Sequence, residues 1–280
     1  MKITATGAPP PPDAPEPFSV SAAVVPGPSR RRLRAEILIV LGLSLGQSGV
    51  YAIVRFIELY TKKTPVGNQT TTLHPSASSV NYIDLTIQIL RIGFELVPVV
   101  LALFLLSAGG GSALHRLGLG GPARQWWKDV AVGAGLAAAI GVPGLGLYLA
   151  GRALGQSVRV DVSGLPSQWW AAAILLGAAA AAAILEEFVV VGYLTTRLRD
   201  VGWGIPAVLL ASALLRGSYH LYQGWPMAVG NVVMGVVFAY LYTRRGRLFP
   251  LVLAHFLLDF TAFVGPEVVP HSWLAALGLV

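Results

Sequence analysis

The sequence predicts an all-α, polytopic transmembrane helical bundle of about seven spanning helices plus a short C-terminal interfacial helix. Three observations carry this. Only 12% of the 280 residues are charged, about half the roughly 25% of soluble domains, and 55% are hydrophobic with a mean hydropathy of +0.67. Seven apolar stretches approach the roughly 20 residues that a helix needs to cross the hydrocarbon core. The basic residues fall in short clusters between these stretches, which is the pattern of orientation signals rather than of a nucleic-acid surface, despite a net charge of +7. Cysteine is absent, which excludes disulfides, thiolate metal sites and a cysteine nucleophile. Catalysis would rest on oxygen and nitrogen side chains.

Residues 1–34 read as a disordered, Pro-rich cytoplasmic tail. Pro9 to Pro12, Pro15, Pro17, Pro26 and Pro28 stand among few apolar residues, so the segment cannot bury enough surface to offset ordering its backbone. The tail closes on Arg30, Arg31, Arg32 and Arg34 and lacks the features of a signal peptide, so the first apolar run is expected to remain as an anchor. Residues 35–280 form the membrane domain, with apolar stretches at 36–60, 82–107, 129–150, 168–196, 205–222, 227–243 and 249–265. A polar loop at 64–79, a Gly-rich link at 108–121, a loop at 152–166 and turns carrying Gly202, Gly204, Gly224 and Gly246 separate them. Trp273, Leu274 and Leu277 mark a final segment too short to span, read as the interfacial helix. Tryptophans 126, 127, 169, 170, 203 and 225 lie near predicted helix ends, as in an aromatic belt.

Alternate loops differ in basic residues. One side holds Arg30, Arg31, Arg32, Arg34, Arg116, Arg124, Lys128, Arg197, Arg199, Arg244, Arg245 and Arg247, and the other only Lys62, Lys63, Arg152 and Arg159. The excess places the N-terminus in the cytoplasm. The preference for arginine over lysine, with abundant alanine and glycine, points to a bacterial plasma membrane.

Ionisable side chains at membrane depth are costly, by about 2.5–3.5 kcal/mol on insertion scales, and are therefore functional candidates. They cluster late in the chain as Glu186, Glu187, Arg216, His220, His255 and Asp259. The four-residue spacings of Arg216 to His220 and of His255 to Asp259 each stack two polar groups on one helical face, so two faces and a carboxylate pair can line one cavity. Glu186 and Glu187 differ by about 100° around an α-helix axis, so one is expected to face the cavity and the other a structural partner. Depth, counted at about 1.5 Å per residue, puts His255 shallow, Glu186 central and His220 deep. Helix tilt or a short, sunken fifth helix would bring them level. Arg91 and Glu95, one turn apart, are expected to pair with each other in a structural role.

These residues carry a resemblance. Glu186-Glu187-Phe188-Val189-Val190-Val191-Gly192-Tyr193-Leu194 resembles the motif E-E-x-x-x-R-G-x-L of the CPBP family, the CAAX-processing and bacteriocin-processing intramembrane proteases also called Abi. Arg216-Gly217-Ser218-Tyr219-His220 resembles its F-x-x-x-H motif and His255-Phe256-Leu257-Leu258-Asp259 its H-x-x-x-N/D motif, while Asn231 and Gly235 fit the polar stretch between them. The resemblance spans about 168–262. It departs at Val191, where the family has arginine, and at Arg216, where the family has phenylalanine. We read the two changes as an exchange in which the cation has moved to a neighbouring helix to face Glu187; the rival reading is a degenerate, inactive member.

The resemblance implies an intramembrane endopeptidase acting on a membrane-embedded or membrane-associated peptide or protein. The expected catalytic set is Glu186 as general base assisted by His220, His255 as oxyanion donor, Asp259 as its tautomer partner, and Glu187, with Arg216 and Asn231 supporting. Related proteases are discussed as glutamate-dependent and as metal-dependent. A catalytic zinc on Glu186, His220, His255 and Asp259 therefore stays open, although there is no H-E-x-x-H motif. Two other function classes remain. A non-catalytic immunity or scaffold protein would use the same fold without the chemistry. A proton-coupled transporter would relay protons through these acids, but the chain shows no pairing of broken helices between its halves.

Overall fold

The structure, a computed structural model, describes residues 28–108, 110–165, 169–268 and 272. The tail over 1–27 and the interfacial helix expected around Trp273, Leu274 and Leu277 lie outside the described residues. Over the described residues each of the seven apolar stretches is mainly helical.

Helix α1 (Arg30–Gly42) starts where the Ser29 hydroxyl accepts from the Arg32 amide, satisfying one of the orphan donors of the first turn. This cap, with the Arg32–Glu36 pair one turn on (3.1 Å), draws the arginine cluster into the helix, ahead of the tail boundary read at 34. Helix α2 (Leu45–Thr61) bends from α1 by 54°. Helices α3 (Asn81–Glu95) and α4 (Val97–Ser107) form one span that breaks at Leu96. Pro98, two residues on, has no amide proton with which to continue the ladder and crowds the Phe94 carbonyl. After the short α5 (Ala113–Arg116) comes the long α6 (Ala123–Ala153). Helix α7 (Ala171–Glu186), a π-helical segment (Glu187–Tyr193) and α8 (Leu194–Val201) make one continuous span. Helices α9 (Ile205–Ser218), α10 (Trp225–Arg245) and α11 (Phe249–Val268) complete the bundle.

Four of these helices, 81–107, 123–153, 171–201 and 225–245, are long and apolar enough to cross a membrane, and the bent α1–α2 pair makes a fifth. The other two predicted spans fall on shorter apolar helical stretches, α9 and the part of α11 over Phe249–Val264. The loops read at 64–79 and 152–166 are not wholly irregular. Strands β1 (Thr70–Pro75) and β2 (Arg159–Gly164) pair in parallel, with Thr70 opposite Arg159 and Pro75 opposite Gly164. Their β-branched residues suit a pleated ribbon, which caps the end of the bundle opposite the arginine-rich loops.

The span 171–201 is central. In its most apolar stretch 67% of the residues are buried inside the bundle, against 6% for 123–153, so α7 is enclosed by protein while α6 offers its sides to lipid. Large apolar side chains such as Phe94, Phe104 and Val142 face outward, as expected of a surface solvated by acyl chains rather than water. Valines 189–191, Tyr193, Phe238, Leu248 and Leu251 anchor the core around this span. Helices α9 and α10 approach closely through glycine. A Cβ at Gly235 would lie 2.8 Å from the Ala213 Cα, and one at Gly217 would lie 3.0 Å from the Ala228 carbonyl. Such small residues let backbones meet where helices lack a hydrophobic driving force, and they hold Arg216 at a fixed depth. Several arginines of the basic end also have structural partners: Arg197 pairs with Glu36 and Asp200, Arg116 with Asp200, and Arg247 with Asp129.

Candidate active site

Three elements bring the predicted residues together. Glu186 closes α7 and Glu187 opens the π-helical segment. Arg216 lies in the last turn of α9, with Tyr219 and His220 in the turn after it. His255 and Asp259 lie one turn apart on α11. The depth conflict is resolved by α9, the fifth of the predicted spans, which is only 14 residues long, so its end reaches the middle of the enclosed span.

Arg216 and His255 each touch both glutamates. Arg216 is fully buried (0% exposed); its Nη1 donates to Glu186 Oε2 at 3.3 Å and its Nη2 to Glu187 Oε1. His255 Nδ1 lies 2.8 Å from Glu187 Oε1, and its Nε2 is 3.5 Å from Asp259 Oδ2 and 3.9 Å from Glu186 Oε2. Tyr219 donates to Glu186 Oε2 at 2.7 Å. The Arg216 guanidinium also lies over the Phe238 ring, 5.4 Å from its centroid, a favourable place for a buried cation.

The sequence expectation that the two glutamates face different ways assumed α-helical geometry. A π turn starts at Glu187 and takes more residues per turn than an α turn, so both carboxylates reach the same arginine and histidine. Switching from one ladder to the other displaces backbone carbonyls from regular partners, and side chains take them up. Ser212 of α9 donates to the Val190 carbonyl (3.1 Å), Thr196 to that of Gly192 (2.6 Å), and Thr195 to that of Val191. The environments of the two acids still differ, as expected. Glu187 is fully buried, and its second oxygen has no hydrogen-bond partner. Glu186 keeps 12% of its side chain exposed, and its Oε1 accepts no hydrogen bond among the described residues.

His220 points its Nδ1 at the Arg216 carbonyl, 3.1 Å away. A carbonyl only accepts, so this nitrogen carries a proton and Nε2 is left for another group. The ring stacks beside Tyr219 at 4.8 Å and interacts electrostatically with Glu186 and His255, without a direct bond to either. Asn231 donates its amide to the Met227 carbonyl at 3.0 Å, and no hydrogen bond joins it to the carboxylates. Among the described residues no group of three or more His, Asp or Glu is disposed to hold a metal ion. Glu186 Oε2 and His255 Nδ1 are already committed to hydrogen bonds, and a guanidinium stands beside the carboxylates, so the four residues considered for zinc do not form its site as arranged. The expected Arg91–Glu95 pair does not form either. Arg91 turns to the Pro75 carbonyl (3.3 Å), and the charges that act on Glu95 are those of Glu186 and Asp259.

Residues 168–261 match the family model described as Rce1-like, type II CAAX prenyl endopeptidase Rce1-like. The match runs over α7 to α11 and contains every residue of the cluster, in agreement with the resemblance carried by the three motifs. It supports a CAAX-protease-like membrane enzyme in general, acting on a membrane-associated peptide. No curated protein and no solved structure matches the chain.

Proposed function

We propose that the chain is an intramembrane endopeptidase that hydrolyses a peptide bond with a water activated by Glu186. The observation that carries this reading is the asymmetry of that carboxylate: Tyr219 and Arg216 hold Oε2 while Oε1 stays open toward the less buried side. A carboxylate fixed by one oxygen and open at the other is oriented to take a proton.

Water held by Oε1 attacks the scissile carbonyl carbon, its proton passes to Glu186, and the carbonyl π electrons move onto oxygen. Both ring nitrogens of His255 face carboxylate oxygens, an arrangement that the imidazolium, with two donors, satisfies. Such a cation stabilises the developing oxyanion, with Asp259 fixing the Nε2 side of the ring. Collapse of the tetrahedral intermediate breaks the C–N bond as Glu186 returns the proton to the leaving nitrogen. His220 assists Glu186 with its free Nε2. Glu187 and Arg216 hold the constellation in register, and Asn231 supports the adjoining turn of α10. Arg216 contacting both glutamates favours a working site over a degenerate one, because it supplies the cation that Val191 cannot. The N-terminus on the cytoplasmic side of a bacterial plasma membrane completes the reading.

The test is cleavage of a mixed peptide library by the purified full chain in detergent micelles, with products mapped by mass spectrometry. Cleavage is expected, and it is expected to persist in excess chelator; activity lost to chelator and restored by zinc would replace the glutamate mechanism with a metal one. Tyr219→Phe tests the orientation of Glu186. A hydrogen bond to a charged group contributes about 1.5–3 kcal/mol, so kcat/KM is expected to fall roughly tenfold to a hundredfold. An unchanged rate would show that Oε2 needs no anchor.

A further inference from the structure

A cavity of about 250 Å³ lies between α3, α7 and the β1 end of the cap, with Leu73, His74, Gln88, Arg91, Glu95 and Ala178 on its walls. At about 30 Å³ per water it has the room of roughly eight waters, enough for one long side chain. None of the catalytic residues lines it, and α7 connects it to them. Ala178, Ala182 and Glu186 follow one another at four-residue steps along one ridge of α7, and Glu95, at the proline-induced break of its span, stands on the cavity wall. Above, His74 meets the Phe263 ring edge-on at 5.1 Å, one turn beyond Asp259.

Two observations here have no role in the structure as it stands. Glu95 is half-buried and makes no hydrogen bond or ion pair among the described residues. The Nε2 of His74 is buried without a hydrogen-bond partner; burial and the neighbouring Arg91 hold its pKa below the ordinary value, so the imidazole is neutral and brings no compensating cation. Arg91 is drawn off to the Pro75 carbonyl. Leu73, Ile92, Ile174 and Ala178 give the walls an apolar strip, beside the polar His74, Gln88 and Arg91. An apolar strip leading to a carboxyl group without a hydrogen-bond partner suits a side chain with an aliphatic stem and a cationic head.

We propose that this cavity is a substrate subsite and that Glu95 selects a lysine or arginine beside the scissile bond. The methylene stem lies along the apolar walls and the cationic head pairs with Glu95. This pairing sets the neighbouring carbonyl over Glu186 Oε1. A free polar atom of the chain meets the buried His74 Nε2. The inference rests on the peptidase reading above.

The test uses the same peptide library with the full chain. The expected result is enrichment of Lys or Arg at one fixed position within two residues of the cut. Glu95→Gln should lower the ratio of basic over neutral peptides in kcat/KM at least tenfold, and Glu95→Asp should restore most of it. Ala178→Leu, which fills the cavity from the opposite wall, should lower the same ratio and provides the measurement if the Gln variant does not fold. Cleavage with no basic enrichment, or with an enrichment that Glu95→Gln leaves intact, overturns the selectivity while the peptidase reading stands. A wild-type chain that cleaves no peptide overturns both.

Discussion

Replacing Glu186 by glutamine is expected to lower peptide cleavage by a factor of at least about 100, the lower end for general acid–base catalysis. The substitution keeps the shape of the side chain and the acceptor for Tyr219 and Arg216 on one amide atom, but it removes the carboxylate that takes the proton. The fold should survive, because Glu186 is the partly exposed member of the pair and Glu187 still pairs with Arg216 and His255. Thermal unfolding in detergent alongside the cleavage assay separates the two effects. Full activity in this variant would move the base to His220, whose Nε2 is the other free acceptor in the cluster. Loss of activity together with early unfolding would instead assign Glu186 a structural part.

Much of this cluster is legible in the sequence because charge is rare in it. In an apolar chain each buried ion is conspicuous, and a four-residue spacing fixes which ions share a face, so Arg216 with His220 and His255 with Asp259 can be read as facing pairs. The small-residue contact behind Arg216, where Gly235 meets Ala213, is not legible in this way, because Gly235 stands out in the sequence only beside Asn231 in the stretch between the motifs. Tyr219 was hidden for the opposite reason. An aromatic residue in an apolar stretch reads as core, and nothing in its spacing shows that its hydroxyl reaches Glu186. The π-helical segment was hidden too, because one extra residue per turn leaves no mark on a run in which Val189, Val190 and Val191 are all buried. That missing turn is why the glutamates were expected to diverge. Pairing of β1 with β2 depends on contacts between distant loops, and local periodicity carries no information on those. The failed Arg91–Glu95 pair has a related cause. Both lie on one helix at a favourable spacing, but the Pro75 carbonyl brought over by the cap competes for the guanidinium, and Glu95 lines the adjoining cavity.

Removing Arg216 is expected to have the largest effect on stability. Its guanidinium is fully buried and divides its nitrogens between Glu186 and Glu187. Glu187 is fully buried as well, with His255 as its other partner. Breaking a buried ion pair from one side leaves a charge without compensation and costs about 3–5 kcal/mol, so Arg216→Phe should unfold far earlier in detergent and lose cleavage. Arg216→Lys should fall between, because a single ammonium cannot match the planar fork that serves two carboxylates at once. Val191 is the position where the related motif carries its cation. It follows Glu187 by four residues within the π-helical segment, where i and i+5 align more closely than i and i+4, and the length of an arginine side chain would let its guanidinium reach that carboxylate. Alone, Val191→Arg should destabilise, since Val191 is buried and a second guanidinium would enter beside the first. Combined with Arg216→Phe, it should recover most of the loss, because the cation count is restored and the phenylalanine takes the space over Phe238. A double-mutant cycle on unfolding and on cleavage measures this coupling. If Arg216→Phe alone is harmless, or if the combination recovers nothing, the two positions are not exchanging one charge. The cation at 216 would then serve the substrate rather than the buried acids.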